Sequence, residues 1–178
     1  HFLFNTLNNI YALSVNNDPV AAESILKLSQ LLRYLLQEAQ NETVSINKEI
    51  EHLRQYIDLQ KLRLTKKVTV NFEMAFDSSG LSIAPLLLLP FVENAFKYGI
   101  SAHEESKIEI KLSYKSSVFE FTVNNTLNNG SRVDIESTGI GVENVRKRLE
   151  LSYPGNFELN IKSNSVSHSV YLKITGLC

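Results

Sequence analysis

Three stretches carry residue types whose spacing suits chemistry. The first is His1-Phe2-Leu3-Phe4-Asn5-Thr6-Leu7-Asn8. On a helix, His1, Asn5 and Asn8 share one face at i, i+4 and i+7 spacing, away from the apolar stripe. An imidazole held there is open to solvent and partly neutral near pH 7, so a ring nitrogen can act as nucleophile. From composition alone a plain surface histidine, or a leftover of a cloning tag, is the better reading. The second stretch is Glu93-Asn94-Ala95-Phe96-Lys97-Tyr98-Gly99. Glu93 and Lys97 are four apart, as are Asn94 and Tyr98, so these side chains line a helix edge. An amide oxygen beside a carboxylate suits octahedral Mg²⁺, which takes oxygen ligands and keeps several waters. Lys97 then meets a phosphate oxygen as a point charge. The competing reading is an ordinary helical Glu–Lys pair, itself worth about 0.2–0.5 kcal/mol.

The third stretch is Ser137-Thr138-Gly139-Ile140-Gly141-Val142-Glu143-Asn144. Two glycines stand before an expected helix with Val142, Val145 and Leu149 inward. Glycine lets backbone approach an anion closely, and N–H groups at a helix start attract phosphate. The stretch is neither a P-loop nor a full dinucleotide fingerprint, and a lone G-x-G also marks ordinary turns.

Elements that could position these residues follow from periodicity. Leu3, Phe4, Leu7, Ile10 and Tyr11 have helical spacing. Asn16-Asn17-Asp18-Pro19 interrupts, with Asp18 a candidate N-cap and Pro19 at the first helical position. Ile25, Leu28, Leu31, Leu32, Leu35 and Leu36 form a second stripe. Ser45 is a candidate cap for a third helix bearing Ile46, Ile50, Leu53, Ile57 and Leu64. From Val68 the period becomes two: Val68, Val70, Phe72 and Met74, then Ile108, Ile110 and Leu112. Phe119, Phe121 and Val123 continue it, followed by Leu159 and Ile161, then Val170, Leu172 and Ile174. Helices are expected between these strands at roughly Leu86–Tyr98 and Val142–Leu151. The pattern predicts an α+β fold, a helical hairpin followed by a two-layer α/β sandwich, with the boundary near Thr65–Lys67.

Composition narrows the partners. The 178 residues contain 18 Lys plus Arg and 19 Asp plus Glu, a formal net charge of −1. Nothing in that balance favours nucleic acid or an anionic membrane surface. Hydrophobic residues at 43% and charged residues at 21% exclude a disordered or fibrous chain. Cys178 is the single cysteine, so no intrachain disulfide or cysteine cluster forms. The apolar run Ile83–Val92 is interrupted by Pro85 and Pro90 and falls short of the ~20 residues a membrane span needs. No secretory signal stands out. The chain begins with His1, so it is expected to be a fragment whose parent carries further segments upstream.

In order and spacing, the three stretches resemble the cytoplasmic part of LytS-type sensor histidine kinases. His1–Asn8 is similar to that family's phosphoacceptor box. Leu31-Leu32-Arg33-Tyr34 and Tyr56-Ile57-Asp58-Leu59-Gln60 resemble its helical signatures. Pro85–Gly99, with Val92-Glu93-Asn94-Ala95, resembles the N box of GHKL ATPases, and Gly139–Leu149 their second glycine box. The resemblance divides the chain into a dimerisation and phosphoacceptor region, residues 1–66, and a GHKL-type ATP-binding sandwich with a mixed sheet, residues 67–178. It implies an ATP- and Mg²⁺-dependent protein-histidine kinase that phosphorylates His1 and passes the phosphoryl group to an Asp of a response regulator. Asn94 is then the Mg²⁺ ligand; Glu93 orients a metal-bound water or assists proton transfer. Lys97 and Tyr98 contact phosphate, and the backbone around Thr138, Gly139, Ile140, Gly141 and Asn144 cradles it. Implied partners are a second copy of the chain, through a four-helix bundle, and a response regulator with a LytTR DNA-binding domain. Direct nucleic-acid contact is not implied, and the chain would be the cytoplasmic portion of an inner-membrane sensor.

Two departures stand out. Asn125 replaces the Asp with which the GHKL family reads adenine. Its amide oxygen still accepts the adenine amino hydrogen, through a weaker bond than a charged acceptor makes, so Asn125→Asp is expected to tighten ATP binding. The first glycine box is missing, with only Gly130 between Asn125 and Gly139. Phe2 also stands where many histidine kinases place an acidic base. These departures are what a degenerate, dimeric signalling scaffold with weak or no nucleotide binding would show, and that is the alternative reading. A GHKL ATPase or serine kinase of another kind is disfavoured by the His1 box.

Overall fold

The computed structural model describes residues 2–37, 41–76, 80–101, 104–127 and 135–177, with residues 135–140 described by backbone alone. Helix α1 (Phe2–Val15) and helix α2 (Val20–Gln37) form the expected hairpin. Asp18 caps the second helix, its Oδ1 accepting the Val20 N–H at 2.9 Å. Strand β1 (Val44–Ser45) then leads into α3 (Ile46–Lys61). Ser45 occupies the N-cap position without making a side-chain cap bond. It is extended instead, because β1 pairs antiparallel with the short strand β3 (Ser82–Ile83).

The remaining strands are β2 (Val68–Ala75), β4 (Ser106–Lys115), β5 (Val118–Thr126), β6 (Phe157–Ser163) and β7 (Ser167–Thr175). They form one sheet in the order β2-β4-β5-β7-β6. Only β2–β4 is parallel, so the sheet is mixed, as expected. Ile108, Ile110 and Leu112 alternate inward opposite Asn125, Val123 and Phe121. Helices α4 (Leu89–Tyr98) and α5 (Ile135–Ser152) complete the α+β architecture. A single apolar core runs from Ile10, Leu28 and Leu31 of the hairpin through α3 to Phe96, Phe119 and Phe121.

Three helix boundaries differ from the periodicity reading: α3 ends at Lys61, before Leu64, and two helices start elsewhere than expected. Helix α4 begins at Leu89 rather than Leu86. The intervening residues form a turn in which Leu86 takes φ 58°, a conformation costly for a side-chain-bearing residue. Their amides are bonded elsewhere: Leu86 and Leu88 donate N–H bonds to the two carboxylate oxygens of Glu49, each at 3.1 Å. Glu49 also accepts the Tyr34 hydroxyl hydrogen. One buried carboxylate of α3 thus joins α2 to the turn that starts α4.

Helix α5 begins at Ile135 rather than Val142. Buried Val145 and Leu149 anchor it, and extension then adds a hydrogen bond per residue. That gain carries the helix back through Gly139 and Gly141, each about 1 kcal/mol poorer than alanine.

Burial raises the Glu49 carboxyl above its ordinary pKa, against the opposing pull of Tyr34, Leu88 and Leu86. A raised folded-state value means stability is fully present below the ordinary carboxylate range and is lost as pH rises through the raised value. Glu49→Gln is expected to flatten that slope. Glu49→Ala orphans two backbone donors, each costing about 1–3 kcal/mol, and should lower the denaturant midpoint accordingly. Equal midpoints in wild type and Glu49→Ala would show that the turn does not depend on this carboxylate.

Candidate functional site

Helix α4 organises the site. Its apolar face, Phe91, Val92, Ala95 and Phe96, is buried, which turns Glu93, Asn94 and Lys97 outward from the core. A cavity of about 580 Å³ lies over that edge. Glu93, Asn94 and Lys97 line it from α4, Tyr56, Gln60 and Arg63 from α3 and its C-terminal turn, and Phe2 and Asn5 from α1. The start of the first sequence stretch therefore opens onto the same space as the second. His1 itself lies outside the described residues.

Electrostatics mark this cavity. Partial desolvation raises the Glu93 carboxyl above its usual range, although its outer edge reaches water. Lys97 rests its ammonium 4.8 Å from the Tyr98 ring centroid. Tyr98, at the C-terminal end of α4, is half-buried.

Asn125 sits apart from this cavity, against the residue that ends α4. Its position in β5 continues the inward phase of Phe119, Phe121 and Val123, so an amide stands where the strand otherwise buries hydrocarbon. The side chain is 3% exposed, and Oδ1 is the one buried side-chain atom without a hydrogen bond among the described residues. A buried acceptor without a partner costs about 1–3 kcal/mol, so a ligand donor is the expected partner. The Nδ2 group donates to the Thr126 carbonyl at 2.8 Å, which fixes the amide with its acceptor free. Gly99 matters here through space rather than conformation. A Cβ at that position would lie 2.8 Å from Asn125 Cβ and 2.9 Å from Nδ2. Thr126 Oγ1 donates to the Gly99 carbonyl, tying the strand end to the helix end.

This geometry corrects the expectation for Asn125→Asp. An aspartate gains charge toward the ligand but sets an oxygen against the Thr126 carbonyl that Nδ2 now serves. The variant is expected to bind ATP no more tightly than wild type, measured by calorimetry. A several-fold gain would show that the Thr126 bond is dispensable.

The third stretch is placed differently from its sequence reading. Thr138, Gly139 and Ile140 lie within α5, and the helix runs on through Gly141 and Asn144. The N–H groups open to an anion are those of the first turn, about Ile135–Thr138, because the glycine amides beyond it enter the helical ladder. Gly141 and Asn144 line a second cavity, of about 690 Å³, with Pro85, Leu86, Lys147 and Arg148. Arg148 donates to the Pro85 carbonyl, joining α5 to the turn before α4. No group of three or more His, Cys, Asp or Glu side chains suited to a metal occurs among the described residues.

Sequence reasoning gave no role to Gly99, Gln60 or Arg63. Gly99 carries a signal in being the residue that ends a helix beside a polar strand position; Arg63 has none without the packing of α3 on α4.

The five-stranded mixed sheet packed against helices is a fold that this chain shares with solved histidine kinase domains. In overall fold the chain is similar to the histidine kinase domain of the blue-light activated kinase EL346 from Erythrobacter litoralis. That likeness has a TM-score of 0.55 at 14% identity, over 91% of this chain and 82% of that one. It is likewise similar to the catalytic domain of histidine kinase ThkA, with a TM-score of 0.53 at 16% identity over 75% of this chain and 93% of that one.

Residues 1–68 match the histidine kinase family. The chain is 26% identical to the sensor protein LytS of Staphylococcus haemolyticus, over 96% of this chain and 31% of that protein. It is 33% identical to the sensor protein kinase HptS of Staphylococcus aureus, over 64% of this chain and 21% of that protein. The chain thus spans less than a third of the length of these relatives. Over most of its length it is similar to sensor proteins of the LytS type, and over residues 1–68 to the histidine kinase family.

Proposed function

We propose that the chain is the kinase portion of a two-component sensor, using Mg²⁺-ATP to phosphorylate His1 and then an Asp of a response regulator. The observation that carries this reading is the cavity shared by Phe2 and Asn5 with Glu93, Asn94 and Lys97. It brings the acceptor helix and the phosphate-handling edge of α4 to one space. The free Oδ1 of Asn125 supports adenine as the base.

Phosphoryl transfer needs mainly positioning and charge stabilisation. Asn125 and Gly99 fix the base at one end of α4, while Asn94 supplies an amide oxygen for the metal. When bound, Mg²⁺ neutralises phosphate charge and orders the β- and γ-oxygens. Lys97 adds a positive charge on the same edge. The unprotonated imidazole nitrogen of His1 forms the new bond to the γ-phosphorus. The bond to the bridging oxygen breaks with its electron pair on ADP, and the imidazole proton leaves to solvent. Glu93, with its raised pKa, can hold a proton or order a water beside this path.

The hairpin supports the dimer. Phe4 at 72%, Tyr11 at 71% and Leu36 at 73% exposure, with Leu7, Val15 and Ile25, leave an apolar face uncovered. A second hairpin covers such a face in a four-helix bundle. A LytTR-type response regulator as the partner, and a parent anchored in the inner membrane with this chain on its cytoplasmic side, belong to the same proposal. No helix of the described residues is long and apolar enough to cross a membrane.

Incubation of the full-length protein with γ-labelled ATP tests the reading. Acid-labile, alkali-stable label is expected. ATP binding without label would select the scaffold alternative, which the helical course of α5 through the glycine pair favours.

A further inference from the structure

We propose that Arg63 is a catalytic residue that contacts the γ-phosphoryl group from the α3 side of the cavity, across from Lys97. This rests on the kinase reading above and adds to it a residue that no motif assigns.

Arg63 lines the cavity that holds Glu93, Asn94 and Lys97, and reaches it from a different element. It follows α3 directly, its N–H bonded to the Gln60 carbonyl at 3.3 Å. The turn beneath it is anchored, because Tyr56 and Gln60 are both buried. Tyr56 packs its ring 5.9 Å from Phe96 of α4 and 4.8 Å from Phe2 of α1. The same ring thus touches both helices that face Arg63. The guanidinium itself is exposed and meets no carboxylate within ion-pair distance among the described residues.

Charge at this point is felt inside the cavity. Burial, and after it the Glu93 carboxylate, push the Tyr56 hydroxyl up; the Gln60 bond and the Arg63 cation pull it down. Glu93 and Arg63 therefore both act on the Tyr56 hydroxyl. An unpaired guanidinium with planar paired donors suits a phosphate group better than a carboxylate already served by solvent. Lys97 and Arg63 then approach the cavity from α4 and from the end of α3. Two cations with one amide ligand match the charge of a γ-phosphoryl group whose oxygens gain no protein carboxylate other than Glu93.

Arg63 takes no part in bond making: the imidazole nitrogen bonds to phosphorus, and ADP departs with the bridging electron pair. Its contribution is charge stabilisation of the transferring group. Removal of one such donor from a preorganised site commonly costs about 10²–10³-fold in rate.

The test uses the full-length protein and its Arg63→Gln and Arg63→Lys variants, with single-turnover labelling from γ-labelled ATP and calorimetry with ATP and ADP. Arg63→Gln is expected to label about 10²-fold more slowly, to lose preference for ATP over ADP, and to bind ADP as wild type does. Arg63→Lys should recover part of the rate. A purely structural role would instead weaken ADP binding and lower the thermal midpoint together, and would overturn the proposal. So would wild-type labelling by Arg63→Gln, which leaves the kinase reading standing. Absence of label in the wild type overturns both.

Discussion

Asn94→Ala is expected to abolish Mg²⁺-dependent ATP binding while leaving the unfolding transition where it is in wild type. Asn94 is half-buried on the edge of α4, facing the cavity with Glu93 and Lys97. The helix itself is held by Phe91, Val92, Ala95 and Phe96 on its other face. Alanine is the better helix former, so the backbone is kept and only the amide oxygen is lost. Loss of a partner that merely supports a metal ligand costs about 10–100-fold in affinity, and loss of the ligand itself should cost at least that. Calorimetry in the presence and absence of Mg²⁺ separates the metal-linked part from the base recognition proposed for Asn125. Equal Mg²⁺-ATP affinity in Asn94→Ala and wild type would remove Asn94 from the metal site.

Much of this arrangement is written in periodicity. The inward phase of β5 runs Phe119, Phe121, Val123, so Asn125 at the next inward position reads as a buried polar group. The edge formed by Glu93, Asn94 and Lys97 follows from helical spacing around an apolar stripe. Asp18 and Pro19 mark the hairpin turn correctly, because the cap is a contact between neighbours in sequence.

What escapes is set by contacts distant in sequence. The turn before α4 replaces a helical turn because Glu49 captures the Leu86 and Leu88 amides from 37 and 39 residues away. The extension of α5 past its glycines reflects anchoring by Val145 and Leu149, not the propensity of Ser137-Thr138-Gly139. Ser45 looks like a cap and is a strand residue, since its partner Ser82 lies in an element too short to show a period. The apolar residues Leu7, Tyr11, Ile25 and Leu36 fit helical stripes, yet they remain exposed in the single chain. A stripe records that a face is to be covered, not which copy of the chain covers it.

The Glu49 contacts also bear on how hairpin and sandwich communicate. Tyr34 of α2 and the amides of the turn before α4 share one buried carboxylate. Helix α3 additionally pairs through β1 with β3, and its Ile46 N–H bonds to Leu81 at 2.9 Å. The proposed division at residues 66 and 67 therefore follows a turn in the chain, while α3 packs with both parts.

The second large effect concerns the acceptor. Two of the other three histidines are engaged in ways that make them poor nucleophiles. His52 stacks on Tyr34 at 4.0 Å and shares a hydrogen bond with Gln55 at 3.0 Å. His168 is partly buried in strand β7, and its Nδ1 shares a hydrogen bond with Ser163. His103 lies outside the described residues. His1 stands four residues before Asn5 in sequence, and Asn5 lines the cavity with Glu93 and Asn94. The decisive measurement is therefore site mapping of label from γ-labelled ATP in the full-length protein and its His1→Gln variant, with ATP affinity measured on both. Wild type should yield an acid-labile, alkali-stable phosphoramidate on the His1 peptide. His1→Gln should yield none while binding ATP equally well. Label that persists in the variant, or a wild type that binds ATP and takes no label, would contradict phosphoryl transfer to His1.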